Sequence, residues 1–151
     1  MRPTLKNQIK TLQALVRGST VLGSNPLACK TLLDEFDEVK GALRIGANRR
    51  YLLQVLHATR ALDGSLRMFN THHGILGAKS NSMGAYLRDL TTHTTAGLGT
   101  LPKSRAGDFQ KNIVNERNRH MHQPGQYPQT HQEILALLGE MDACLSEVLA
   151  L

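Results

Sequence analysis

The chain has 151 residues, 40% hydrophobic and 20% charged, which is one domain's worth of sequence with enough apolar material for a core. Three Phe, three Tyr and no Trp argue against the sandwiches and barrels that lean on aromatic and β-branched residues. No apolar run approaches the ~18 residues that cross a bilayer. The formal net charge of +6 points toward polyanionic partners such as nucleic acid without defining a site.

Leu5, Ile9, Leu12 and Val16 recur with helical spacing and predict a first amphipathic helix that stops near Gly18. Residues 18–25 read as a loop. Asn25 followed by Pro26 starts the next helix, with asparagine as the cap and proline at the first helical position. Leu32, Phe36, Val39 and Leu43 supply its apolar stripe; Asp34, Glu35, Asp37 and Glu38 are most simply a solvated face. Gly46 separates it from a longer helix carrying Leu52, Val55, Leu56, Leu62, Leu66 and Phe69, which Gly64 is expected to soften. Arg49 and Arg50 open that helix, where the dipole does not favour cations. Exposed surface is the simple explanation for them, and a bound phosphate the alternative.

From His72 to Gly107 the character changes. Gly74, Gly77, Gly84, Gly97, Gly99 and Gly107, with many Thr and Ser, predict a long connection holding one short helix around Met83–Leu90. Lys79, Arg88, Lys103 and Arg105 make it basic. A structureless connection of this length is uncommon in a compact domain and is often functional or mobile. The next helix is expected from Ser104 to His122, ended by Pro124-Gly125. Thr130 and Glu133 form the capping-box pattern T-x-x-E ahead of a last helix with Ile134, Leu138, Met141, Leu145, Val148 and Leu149. Cys29 and Cys144 have no metal-like spacing, and two reduced, buried thiols fit a cytoplasmic protein. The N-terminal Met-Arg-Pro-Thr-Leu-Lys lacks the apolar core of a signal peptide. The expected fold is all-α: one domain over 1–151, an antiparallel bundle of four main helices plus one or two short ones.

The stretch Arg117-Asn118-Arg119-His120-Met121-His122 concentrates the chemistry. A guanidinium holds a phosphate with a planar fork of donors, and an imidazole moves protons near neutral pH. Phe109, Ile113, Arg117 and Met121 lie on one i, i+4 line, so Arg117 interrupts an apolar stripe. Such a charge needs a partner: an internal salt bridge with an acid of the second helix, a boundary position from which it snorkels, or a ligand. His122 lies about 140° around an ideal helix from Arg117. It shares a site with Arg117 only if the backbone turns at the helix end before Pro124. His120 and His122, about 200° apart on a helix, cannot share an ion, and the seven histidines show no zinc spacing. No metal and no cofactor is expected. Nor is there a Walker loop, Rossmann fingerprint or nucleophile elbow.

The hexad, written R-N-x-x-x-H, resembles the signature of HEPN domains, small α-helical bundles of which many are metal-independent endoribonucleases of toxin–antitoxin, abortive-infection and CRISPR systems. The resemblance rests on the hexad and on the helical reading of the chain. It implies that Arg117 and His122 are the catalytic pair and Asn118 the polar residue of the motif. It further implies RNA cleavage by attack of the ribose 2′-hydroxyl on the adjacent phosphate, His122 moving a proton and Arg117 stabilising charge. Two motifs usually meet across a homodimer in that family, and an antitoxin protein is the other implied partner. Arg119, Lys111, Arg49 and Arg50 are the candidates for RNA backbone contacts. In the branch paired with nucleotidyltransferase antitoxins a Tyr follows the His by two residues; here that position is Pro124, which departs from that branch. The alternative function is a non-catalytic helical module that binds RNA or a protein.

Overall fold

Four of the helices begin at a side-chain cap. Thr4 Oγ1 accepts from the Asn7 N–H ahead of α1 (Leu5–Gly18), and Asn25 Oδ1 accepts from the Ala28 N–H ahead of α2 (Pro26–Gly41). A 3₁₀ turn (Ala42–Arg44) and Gly46 lead into α3 (Ala47–His72), the longest element at 26 residues. Ser82 caps α4 (Met83–Thr92). α5 (Lys103–Phe109), a π-turn (Gln110–Val114) and α6 (Asn115–His122) follow one another without a break. α7 (His131–Leu149) opens with the full capping box of Thr130 and Glu133. This computed structural model describes residues 4–75, 77 and 80–151, without the side chains of residues 47 and 48; among the described residues the fold is all-α with no strand.

α1, α2, α3 and α7 form a ring in which α1 packs on α2 and α7, and α3 packs on the same two. Ile9, Leu12, Phe36, Leu62, Leu66 and Leu138 lie fully inside it, each such side chain contributing ~1.5–3 kcal/mol by burial. α4 and α6 both pack on α3, and the π-turn touches α4 and α7. The inner face of α3 is unusually polar, with Gln54, Thr59, Ser65 and Asn70 buried. Thr59 and Ser65 donate to the carbonyls four residues back. Gln54 Nε2 donates to Val39 O at 3.3 Å and Asn70 Nδ2 to Tyr86 O at 3.2 Å. The two amides therefore tie α3 to α2 on one side and to α4 on the other.

Several expectations change. Leu52 is exposed rather than part of the α3 stripe, which runs through Val55, Ala58, Leu62, Leu66 and Phe69. Gly64 does not soften α3: a Cβ there would stand 2.8 Å from Leu32 Cδ2, so the glycine lets α2 approach closely. Glu35 is not on a solvated face; its carboxylate, 16% exposed, holds His57 and Arg60. The glycine-rich connection contributes core through Tyr86, Leu87, Leu90 and Leu101. It is also pinned by backbone bonds from the Leu101 N–H to Leu90 O and from the Gly99 N–H to Leu151 O. Lys79 and the first three residues lie outside the described residues. Both cysteines are free and buried, and burial pushes the Cys144 thiol up to about 12.

Removing the α7 cap with Thr130→Ala should lower stability by about 1 kcal/mol. Phe109→Ala, which empties a fully buried site, should cost about 3–5 kcal/mol. Urea denaturation of the two variants checks both the sizes and their order.

Candidate anion-binding cleft

The π-turn decides what α6 presents. Its closing bond runs from the Asn115 N–H to Gln110 O, five residues back. One inserted residue rotates everything after it by about 100° relative to a continuous α-helix. Phe109, Ile113 and Val114 are buried, whereas Arg117 emerges beside that stripe, partly exposed, instead of interrupting it. The charge that looked costly on the sequence thus stands at a boundary.

There it borders a cleft of about 560 Å³. One wall is α3, with Thr59, Arg60, Asp63, Gly64 and Arg67; the second is the start of α4, from Asn81 to Gly84. The third is Gln110, Val114, Arg117 and Asn118. Arg117 Nη1 donates to Asn118 Oδ1 at 3.1 Å. Arg60 is steered by Glu35 Oε1 at 2.9 Å while 58% of its side chain stays exposed. Ser82 Oγ accepts from the Ala85 N–H, and Ser82, Met83 and Gly84 at the start of α4 border the cleft, where a helix terminus favours negative charge. Gly84 packs against the end of the Gln110 side chain: a Cβ there would meet Gln110 Oε1 at 2.8 Å, so that amide would have to shift.

Asp63 is the counterweight. Burial pushes its carboxyl above the ordinary carboxylate range, against the pull of Arg117 and Arg67. Among the described residues no direct ion pair joins Arg117 to a carboxylate. A bridge to an acid of the second helix, one of the alternatives for Arg117, is absent there, and Glu35 is held by Arg60 and His57 instead. The cleft therefore offers three guanidiniums and a helix start against one half-buried acid, an arrangement suited to an anion with several oxygens.

Of the residues singled out on the sequence, Arg117 and Asn118 line this cleft. His122 is exposed and does not line it. α6 stays helical through His122, so the backbone does not turn at the place where a turn would have carried the imidazole toward Arg117. His122 is instead one helical turn beyond Asn118 on the same side of α6. Arg119 faces the other side of α6, bonded to Glu116 Oε2 at 2.5 Å. Lys111 is exposed on the π-turn. Arg50 is engaged in its own loop, donating from Nε to Ile45 O at 3.0 Å with its guanidinium 5.9 Å from the centre of the Tyr51 ring. Arg49 is exposed at the start of α3. Arg60, Asp63 and Arg67 escaped the sequence reading; their i, i+3, i+7 spacing on one side of α3 was the available signal.

Comparison of the chain with protein-family models, with curated proteins and with solved structures found no match.

Because the folded-state pKa of Asp63 is raised, the folded protein holds that proton more tightly than the unfolded chain does. Stability is then lost as pH rises through the range just above ordinary carboxylates. Asp63→Asn should remove this slope, so the variant gains relative to the parent as pH rises through that range. Thermal melts of both proteins across pH check the sign.

Proposed function

We propose that this chain binds RNA by its phosphates in the Arg60–Arg67–Arg117 cleft and cleaves it without a metal ion. The observation that carries this reading is the convergence of three guanidiniums, Asn118 and the start of α4 on one cleft. A track leads to it. Arg49, Arg60 and Arg67 are eleven and eighteen residues apart on α3, which places them within about 20° of one another around the axis. They span about 27 Å at ~1.5 Å per residue, a length suited to several nucleotides of single-stranded RNA.

The chemistry follows the HEPN resemblance. Arg117 stabilises charge on the phosphate as the 2′-hydroxyl attacks, and His122 handles a proton. His122 lies one turn outside the cleft that holds Arg117, so in this reading a second copy of the chain supplies the missing half of the site. The resemblance further suggests a toxin or antiviral-defence setting, with an antitoxin as the other partner. The position of His122 also favours a second reading, a non-catalytic RNA-binding module that uses the same cleft.

Incubation of the purified protein with RNA in EDTA separates the two. Cleavage with a 2′,3′-cyclic phosphate product, lowered at least ~10²-fold by Arg117→Ala and by His122→Ala, supports the ribonuclease. Full cleavage by both variants contradicts it, and binding without product selects the second reading. In either case Arg49→Ala or Arg67→Ala should weaken RNA binding across sequences and reduce the salt slope by about 1; fluorescence anisotropy at several salt concentrations measures this.

A further inference from the structure

The opposite side of α6 borders a second pocket, of about 360 Å³, between α6 and α7. Its chemistry is the reverse of the cleft's. Val55, Pro128, Ala136 and Leu137 give it an apolar lining, and Glu116, Glu133 and Glu140 bring three carboxylates against the single guanidinium of Arg119. Arg119 is already bonded to Glu116, and Glu133 is engaged by the Thr130 N–H at 3.0 Å and by the Gln129 N–H. Glu140 makes no hydrogen bond or ion pair among the described residues.

His120 adds a second, independent observation. Its side chain is only 8% exposed, it lines this pocket, and its Nδ1 is buried without a hydrogen-bond partner. Nε2 stands 3.6 Å from Glu116 Oε2. That is too long for a hydrogen bond, but near enough for the carboxylate to favour the ring proton on Nε2. Nδ1 then carries the lone pair and is an acceptor. A buried acceptor without a donor is costly. The pocket is thus oversupplied with acceptors: an idle imidazole nitrogen, a free carboxylate and two others only partly engaged. An anion is repelled there. A compact metal ion finds no group of three ligating side chains among the described residues. The complement is a donor-rich cation on an apolar stem.

We propose that this pocket binds an ammonium or guanidinium group carried on a short methylene chain, the charge meeting Glu140 and His120 and the stem lying on Ala136 and Leu137. Two sources share that chemistry: a free amine, or an arginine or lysine side chain of a polypeptide. This does not rest on the RNA reading, since the pocket and the cleft lie on different sides of α6.

Calorimetry combined with NMR of the His120 ring tests it on the full chain with three probes: agmatine, acetyl-Gly-Arg-Gly-amide and N-butylurea. The urea matches the planar shape of an alkylguanidinium but is uncharged and carries a carbonyl oxygen in place of one amino group. Binding of agmatine or of the peptide, with a shift of the His120 ring and at least tenfold weaker binding of butylurea, supports the site. Agmatine alone identifies a free amine as the source, and the peptide alone identifies a polypeptide side chain. Glu140→Gln, at a partly exposed residue with no structural bond to lose, should weaken the cation at least tenfold. Failure of both cations to move the His120 ring, equal binding of butylurea, or unchanged binding by Glu140→Gln would each overturn the proposal.

Discussion

The π-turn over Gln110–Val114, closed by the bond from the Asn115 N–H to Gln110 O, sets the phase of everything that follows it in the rod. With ordinary i→i−4 bonding, Arg117 would continue the line of Phe109 and Ile113 into the core, where an unpaired guanidinium is prohibitive. The inserted residue puts Val114 beneath Phe109 and brings Arg117 and Asn118 to the rim of the cleft. The same rotation sends Glu116, Arg119 and His120 toward α7. One irregular turn thereby gives α6 two chemically opposite sides, cationic toward α3 and α4, anionic toward α7. Such turns are frequent at functional sites, and here the physical reason is visible: the turn moves a charge from an apolar line to a boundary.

α3 is the other fixed part. Its buried Gln54 and Asn70 tie it to carbonyls of α2 and α4, so the α3 and α4 walls of the cleft are held at a set spacing by bonds that leave little freedom in a dry interior. Glu35, itself mostly buried, steers Arg60. Asp63 is pulled two ways, by burial toward the neutral acid and by Arg67 and Arg117 toward the carboxylate. An arriving phosphate would compete for those guanidiniums and further disfavour the charged form of Asp63. The cleft and this acid are therefore electrostatically coupled.

Much of the architecture was legible in local sequence chemistry, because caps and stops act over three or four residues. Asn25-Pro26, Gly46 and the Thr130–Glu133 pair mark helix ends that the structure places within a residue or two. What was not legible depends on partners far away in the chain. Gly64 reads as a weak point until Leu32 is found against it. Glu35 reads as solvated until Arg60 and His57 arrive from α3. Leu52 has the right spacing and the wrong neighbours. At the site, Arg117 and Asn118 were found from their residue types. Arg60, Asp63 and Arg67 were hidden on a helix read for its apolar stripe. A π-turn leaves no periodic signal, which is why the sequence alone does not choose between a core and a boundary position for Arg117.

The claim on which the functional account stands is that RNA phosphate occupies the cleft between α3, α4 and α6. Backbone and arginine-Nε NMR shifts on titration with a short single-stranded RNA test it most directly. The account predicts that the largest changes fall on Arg60, Arg67, Arg117, Asn118 and the amides of Met83 and Gly84, with the α7 side of α6 undisturbed. Changes centred elsewhere on the surface, with those residues silent, would contradict it.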